Sequence, residues 1–210
     1  MKNNIFAILL IYLITFIAYG YTETVNPDTN LKSATKMFSG IKSLLPTVKQ
    51  VSSSSLNVEN ISGHYCTLGP SMKERRGGAL SGSELYLFPD NTYIYLKWAD
   101  ILPLTIYEKG QWDINNSFII LHSDGSVHQK DFPRDHEYLP LIIQSGTKDN
   151  IFIMGTEKEY SYFIKEAKND PAFMLLLCGL EKEKTISHNE TKSIREKLMK
   201  ESWRPEFFKE

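Results

Sequence analysis

The segment 84–97, ELYLFPDNTYIYLK, indicates the fold class of this chain, because two short runs rich in Leu, Ile, Tyr and Phe flank a polar turn. Such runs are typical of β-strands, and Asp90 and Asn91 are residue types that start tight turns or tolerate the left-handed backbone region. With these two residues at the tip, Leu87 would lie opposite Ile94. The segment therefore predicts an antiparallel β-hairpin.

Side-chain alternation along this hairpin predicts two different faces. One face is aliphatic and suits a packed core; it holds Leu85, Leu87, Ile94 and Leu96. The other face is aromatic, and a nearby Trp extends the group to Tyr86, Phe88, Tyr93, Tyr95 and Trp98. Large rings of this kind need a covering element, a protein partner or a ligand. These five aromatic residues are therefore the candidate ligand-binding residues, with a helix over 31–45 as the competing cover.

The strand pattern continues on both sides of the hairpin. Short apolar or alternating runs are separated by turn residues, and the predicted strands span 61–68, 84–88, 92–98, 102–108, 111–115, 117–122, 127–132, 139–144, 151–155, 160–166 and 172–178. Strands joined by short turns form an antiparallel meander. A meander of this many strands closes into a barrel or folds into a sandwich, because open edges promote aggregation. We therefore predict a mainly β domain.

Helical segments flank the predicted β domain. Apolar residues from Leu31 to Val48 recur at steps of three and four, which predicts an amphipathic helix over 31–45 that Pro46 ends. A charged C-terminal segment predicts a second helix. The predicted organisation is a signal peptide at 1–20, a polar segment, helix and Ser-rich linker at 21–60, the β domain at 61–180 and a helical tail at 181–210.

The N-terminus predicts export. Lys2 precedes an apolar run from Ile5 to Tyr19, and Ala18-Tyr19-Gly20 places small residues where a signal peptidase reads. A helix of this length spans about 22 Å, which is shorter than the roughly 30 Å core of a bilayer. We therefore expect cleavage, a secreted or periplasmic location and no membrane span in the mature protein. A retained membrane anchor is the alternative.

The charge balance excludes one class of partner. Lys and Arg number 24 and Asp and Glu number 25 in the whole chain, so loss of Lys2 with the signal leaves a mature charge of about −2. A protein held by phosphate contacts needs a basic face. We therefore predict no nucleic-acid partner.

Two segments begin with Gly, any residue and an aromatic residue, namely Gly63-His64-Tyr65 and Gly110-Gln111-Trp112. Together with the Phe-x-Asp-Asn-Thr-Tyr turn of the hairpin, this pattern resembles the small exported lipocalin-like (calycin-like) β-barrel proteins. The resemblance covers roughly residues 61–178. It implies an antiparallel barrel whose interior or mouth holds an apolar ligand, and it implies no chemistry.

Candidate chemical groups are few. His122, His128 and His136 lie among several Asp and Glu residues, and imidazole with carboxylate is a ligand set for Zn²⁺; solvated loop residues are the alternative. Cys66 and Cys178 are a candidate disulfide, since the first and last strands of a closed barrel are neighbours; two buried free thiols are the alternative. Alternation also places His64 and Cys66 on one side of a strand, where a nucleophile with its base or simple packing would both fit.

Three functions are compatible with this sequence. We expect a non-enzymatic exported barrel that binds a small apolar ligand or serves an envelope role. The alternatives are a protein-interaction module of inhibitor or immunity type with an aromatic surface, and a metal-dependent hydrolase built on residues 122–137. Phosphate-cradling loops, dinucleotide fingerprints and His-Glu-x-x-His or Cys-x-x-Cys motifs are absent from the sequence, so we predict no cofactor.

Overall fold

A computed structural model of the chain describes residues 27–67, 69–74, 81–99, 102–125, 135–145 and 147–200. Its strands are β1 (Lys49–Gln50), β2 (Gly63–Cys66), β3 (Ser81–Leu87), β4 (Thr92–Ala99), β5 (Leu102–Asn115), β6 (Phe118–Ser123), β7 (Asp135–Ser145), β8 (Lys148–Gly155) and β9 (Gly179–Thr185). Its helices are α1 (Pro27–Leu44), α2 (Val58–Ile61), α3 (Pro70–Glu74), α4 (Lys158–Glu166), α5 (Pro171–Cys178) and α6 (His188–Lys200). The predicted signal peptide, the predicted strand 127–132 and His128 lie outside the described residues.

Strands β2 to β9 form a closed antiparallel barrel. Each strand pairs with the next from β2 to β9, and β9 also pairs with β2, so the ladder has no free edge. The short strand β1 lies outside this barrel and pairs with β7. The prediction of a mainly β fold with a closed meander is confirmed, and the sandwich alternative is not the one that forms. None of the described helices combines the length and apolar character needed to cross a membrane.

The barrel interior holds an apolar cluster to which every barrel strand contributes at least one residue. Its fully or nearly fully buried members are Ile61, Tyr65, Leu85, Leu87, Tyr93, Trp112, Ile119, Leu121, Ile153 and Leu180, and Tyr95, Ile114, Tyr138 and Ile151 pack against them. Helix α2 supplies Ile61 and Val58 to this cluster. Burial of these side chains is the main favourable contribution to the stability of the barrel.

Both Gly-x-aromatic segments place their rings in this interior. The Tyr65 hydroxyl donates to the carbonyl of Ile61 at 2.6 Å, and the indole of Trp112 donates to the carbonyl of Phe88 at 2.9 Å. A Cβ atom on Gly110 would lie 2.0 Å from a carbonyl oxygen of β6. Glycine at this position therefore permits the close approach of β5 and β6 beside the buried indole.

Helices cover two regions of the outer wall. Helices α1, α4 and α5 pack over β6, β7 and β8. The predicted stripe of α1 contributes the buried residues Ala34 and Ile41, and Met37, which the stripe did not include, is buried beside them. Helix α6 packs over β3 and β4, where Leu198 and Ile194 contact the apolar residues of the hairpin. Most of the barrel surface that carries apolar side chains is thus removed from water.

The register of the 84–97 hairpin differs from the prediction by one residue. Leu87 pairs with Tyr93, and Tyr86 pairs with Ile94. The turn has three residues instead of two, with Asn91 in the left-handed region at φ 61°, as in hairpins that end in a bulge. When the register shifts by one residue, the side chains of one strand move to the opposite face relative to those of its partner. The predicted aliphatic and aromatic faces were therefore wrong: Leu85 and Leu87 share the interior face with Tyr93 and Tyr95, and the other members of both predicted sets share the outer face.

Two predicted strands are helices. Residues 160–166 lie in α4, and 172–178 lie in α5. A continuous apolar run such as 173–177 does not distinguish a strand from a buried helix. The start of α5 carries helix signals, since Pro171 occupies its first turn and the carboxylate of Asp170 accepts a hydrogen bond from the amide of Phe173. Strand β9, which closes the barrel, lies in a charged segment that the sequence had not marked as a strand.

Candidate functional site

A cavity of about 500 Å³ opens at one end of the barrel. Strands β4 to β8 and the β8–α4 connection line it, with Tyr95, Lys97, Glu108, Leu121, Asp135, His136, Glu137, Tyr138, Gly155, Thr156, Glu157, Lys158 and Glu159. Its size lies within the range of small-molecule sites. The lining combines tyrosine rings with five carboxylates and two lysines, so the cavity is more polar than the apolar pocket that the sequence suggested.

A hydrogen-bonded group of three residues, Tyr93, Glu108 and His136, lies at the base of the cavity. The Tyr93 hydroxyl donates to one oxygen of Glu108, and Nε2 of His136 lies 3.0 Å from the other. Burial raises the pKa of the Glu108 carboxyl, but the hydrogen bonds with His136 and Tyr93 outweigh burial, so the pKa is lower than usual. Glu108 is therefore an ionised, fully partnered carboxylate at neutral pH.

The carboxylates nearer the rim of the cavity repel each other. Burial raises the pKa of Glu137, and the negative charges of Glu157 and Asp135 raise it further. A positive charge among these groups would stabilise the ionised form of Glu137. The rim therefore has the electrostatic character of a site for a cation.

Of the five aromatic candidates, the structure places one, Tyr95, in the lining of the cavity. Tyr93 lies in the interior cluster and reaches the cavity through its bond to Glu108. The other three, Tyr86, Phe88 and Trp98, lie on the outer wall in the cluster beneath α6, and each is at most 5% exposed. The expected cover at 31–45 packs elsewhere.

Tyr138 is a cavity residue that the sequence did not single out. It lies on β7 opposite Gly155 and lines the cavity beside Tyr95. The sequence alternation of β7 could have identified Tyr138 as a site residue, because Tyr138 and the candidate His136 are two residues apart and therefore face the same side of the strand.

The histidine candidates do not converge. His122 pairs with Asp135 across β6 and β7 and faces outward, whereas His136 pairs with Leu121 and faces inward. The two nitrogens of His122 lie 3.0 Å from Asp135 and 3.3 Å from Asp113. Burial lowers the pKa of His122, but the bonds to these carboxylates raise it overall. The described histidines of the 122–137 segment therefore belong to two separate ion pairs.

The predicted disulfide does not form: both cysteines are buried free thiols. Cys178 ends α5 in the helix-covered cluster of the outer wall, and burial raises its pKa to about 11. Cys66 lies on β2. The first and last strands of the barrel, β2 and β9, are neighbours, as expected. Cys178, however, is the last residue of the helix that precedes β9, so it does not lie on the strand beside Cys66.

A buried polar cluster surrounds Cys66. Nε2 of His64 lies 2.8 Å from Glu84, and Nδ1 lies 2.9 Å from Glu183. The ring of His64 stacks on Tyr86 with 4.3 Å between centroids, and the Tyr86 hydroxyl donates to Glu84 at 3.3 Å. Burial lowers the pKa of His64, but the bonds to Glu183 and Glu84 raise it overall. This cluster brings together the His64 and Cys66 pair noted in the sequence.

Family models, curated protein sequences and solved structures were compared with this chain, and nothing matches it.

Proposed function

We propose that this protein binds a small organic cation, such as an amine with an aromatic or aliphatic group, in the cavity at the open end of the barrel. The observation that carries the proposal is the lining of that cavity, where tyrosine rings lie beside an excess of carboxylates. The apolar interior below the cavity gives the site a rigid base.

The electrostatics favour an amine over a neutral or anionic ligand. Glu108 is already compensated by His136 and Tyr93. Burial and the negative charges of Glu157 and Asp135 instead raise the pKa of Glu137, so a cation would stabilise its ionised form. An ammonium group among the rim carboxylates would gain ion-pair interactions there, and the organic part of the ligand would lie toward the rings of Tyr95 and Tyr138. The purely apolar ligand expected from the sequence would leave the repulsion between Glu137 and its neighbouring carboxylates in place.

We further propose that binding occurs without catalysis and outside the cytoplasm. Catalysis would need a nucleophile, a base and an orienting group in mutual contact. The described contacts of His136 join it to Glu108 and, through Glu108, to Tyr93, and we assign this group to ligand binding. The apolar run at the start of the chain supports export.

The interaction-module alternative receives less support. The aromatic rings that would have formed its surface are buried under α6 or inside the barrel. The exposed large apolar residues among those described, Tyr162, Ile164, Leu177 and Met199, are few, and scattered exposed apolar residues are usual on a soluble surface.

A matched ligand series tests the proposal. We expect phenethylamine to bind at least about tenfold more tightly than phenethyl alcohol, and 3-phenylpropionate to bind most weakly, in calorimetric titrations at neutral pH and low salt. Glu137→Gln should weaken only the amine, whereas Glu59→Gln, which removes an exposed carboxylate on α2, should change nothing. Equal affinity for all three compounds, or no binding of the amine, would contradict the proposal.

A further inference from the structure

The cluster around His64 is separate from the cavity and combines three types of metal ligand. His64 and Cys66 are two residues apart on β2 and share one face of the strand. Glu183 comes from the neighbouring strand β9. One donor atom from each of these residues lies within 4.8 Å of the other two.

The pairing of β2 with β9 positions Glu183. His64 pairs with Lys184 and Tyr65 pairs with Lys182, so the register shift leaves Glu183 as an additional residue in β9. Bulges of this kind redirect a side chain and occur often beside functional sites. Here the Glu183 carboxylate reaches Nδ1 of His64 at 2.9 Å.

The second nitrogen of His64 is held by a different carboxylate. Glu84 lies 2.8 Å from Nε2, is itself 3% exposed and accepts a hydrogen bond from Tyr86. A carboxylate behind the non-ligating nitrogen is the usual outer-shell partner of a metal-binding histidine, because it fixes the tautomer and the ring orientation. The imidazole is thus oriented with Nδ1 toward Glu183, and Cys66 belongs to the same group of donors.

We propose that Nδ1 of His64, Sγ of Cys66 and a carboxylate oxygen of Glu183 bind one Zn²⁺ ion, with Glu84 as the positioning residue for His64. Nitrogen, sulfur and oxygen donors at about 2.0–2.3 Å are the normal ligands of tetrahedral zinc. Such bond lengths require donor separations of about 3.4–3.6 Å, so the observed group needs only small side-chain adjustments.

The surroundings suit an ion with one further ligand. His64 and Cys66 are 5% and 6% exposed, whereas the side chain of Glu183 is 32% exposed. The Glu183 side is therefore the entry path, and a water molecule can complete the tetrahedron there. Binding requires the thiolate and an unprotonated Nδ1, so the protons held by these atoms pass to the buffer.

Zinc titration of the full chain against a chromophoric chelator tests the proposal. We expect one equivalent to bind to the wild type, with proton release and a rise in melting temperature. Replacement of zinc by Co²⁺ should produce a near-ultraviolet thiolate-to-cobalt charge-transfer band. Failure of the wild type to bind zinc at micromolar concentration would overturn the proposal.

Matched cysteine variants assign the ligand. Cys66→Ser should abolish the cobalt band and weaken zinc binding by more than about 100-fold. Cys178→Ser, which changes the other buried thiol, should retain the cobalt band and the wild-type zinc affinity. Glu84→Gln should keep the band and weaken binding by about 10- to 100-fold, as expected for an outer-shell partner.

Two further variants separate loss of a zinc ligand from loss of the fold and from binding at a different histidine. Glu183→Gln changes a partly exposed side chain and should fold normally, so its loss of zinc affinity would support the site even if Cys66→Ser folds poorly. Zinc binding that survives in Cys66→Ser and disappears in His122→Asn would place the ion at the outward ion pair of His122, and the proposal would be wrong.

Discussion

Replacement of Lys182 by Met tests how the barrel interior holds a buried charge. Lys182 lies on β9 opposite Tyr65 and is 7% exposed. Its ammonium group donates to the carbonyl of Asn60 at 2.5 Å and lies 5.9 Å from the centre of the Tyr65 ring. Burial lowers the pKa of Lys182 from 10.5 to about 8, because the charged form loses hydration that these contacts replace only in part.

The lowered pKa determines the sign and size of the expected effect. Between pH 8 and 10.5 the unfolded chain holds a proton on Lys182 that the folded protein has released, so the free energy of unfolding rises with pH in this window. With these two pKa values, the contribution of Lys182 to stability grows by about 2 kcal/mol between about pH 7 and 9.5. Lys182→Met has no such contribution and should be the more stable protein at neutral pH.

Urea denaturation of both proteins from about pH 7 to 9.5 measures this difference. Other titrating groups, the buried tyrosines among them, act equally in the two proteins and cancel when their unfolding free energies are subtracted. Lys197→Met, which replaces an exposed lysine of α6, should show the wild-type pH dependence. A difference between wild type and Lys182→Met that stays constant across this pH range would refute the reasoning.

Three further outcomes are expected. Leu87→Ala empties a fully buried interior position and should lower the free energy of unfolding by about 2–5 kcal/mol in urea; an unchanged midpoint would mean that Leu87 does not face the interior. Leu198→Asp should lower the melting temperature and increase binding of an apolar dye, because α6 would no longer cover the hairpin, whereas Met199→Asp, at a 52% exposed neighbour, should not. The lowered pKa of Glu108 stabilises the fold above the usual carboxyl pKa of 4.5, and this contribution is lost as the pH falls through the folded value. Glu108→Gln should therefore lose less stability than the wild type on acidification, and parallel acid titrations would argue against the paired carboxylate.

The barrel was predictable because its signals are local. Strand runs with turn residues between them mark hairpins wherever they occur, and a long meander closes for reasons that do not depend on individual side chains. The stripe of α1 was also readable, since Ala34 and Ile41 recur at the helical period and are both buried. These predictions required only an element and its period and succeeded, whereas residues 160–166 and 172–178, predicted as strands, form helices.

The candidate site was less predictable because it depends on register. The extra turn residue at the 84–97 hairpin places Tyr93 and Tyr95 inside with Leu85 and Leu87, and no local feature distinguishes a two-residue from a three-residue turn here. The interior tyrosines bring hydroxyl groups to the base of the cavity, where Glu108 accepts a hydrogen bond. A polar cavity thus replaces the aromatic surface that the other register would have produced.

Strand β9 shows most clearly why charge alone is a poor guide to exposure. Its sequence, Gly179 to Thr185, resembles a solvated tail, yet each of three consecutive charged residues has a specific partner. Glu181 accepts hydrogen bonds from the amide and hydroxyl of Ser71 at 2.8 and 2.7 Å, Lys182 donates to α2, and Glu183 contacts His64. A shift of β9 by one residue would separate all three charges from these partners and leave buried charges unpaired, which is strongly unfavourable. The charges that concealed the strand in the sequence therefore select the register in which the barrel closes, and the same register brings Glu183 to the proposed zinc ligands.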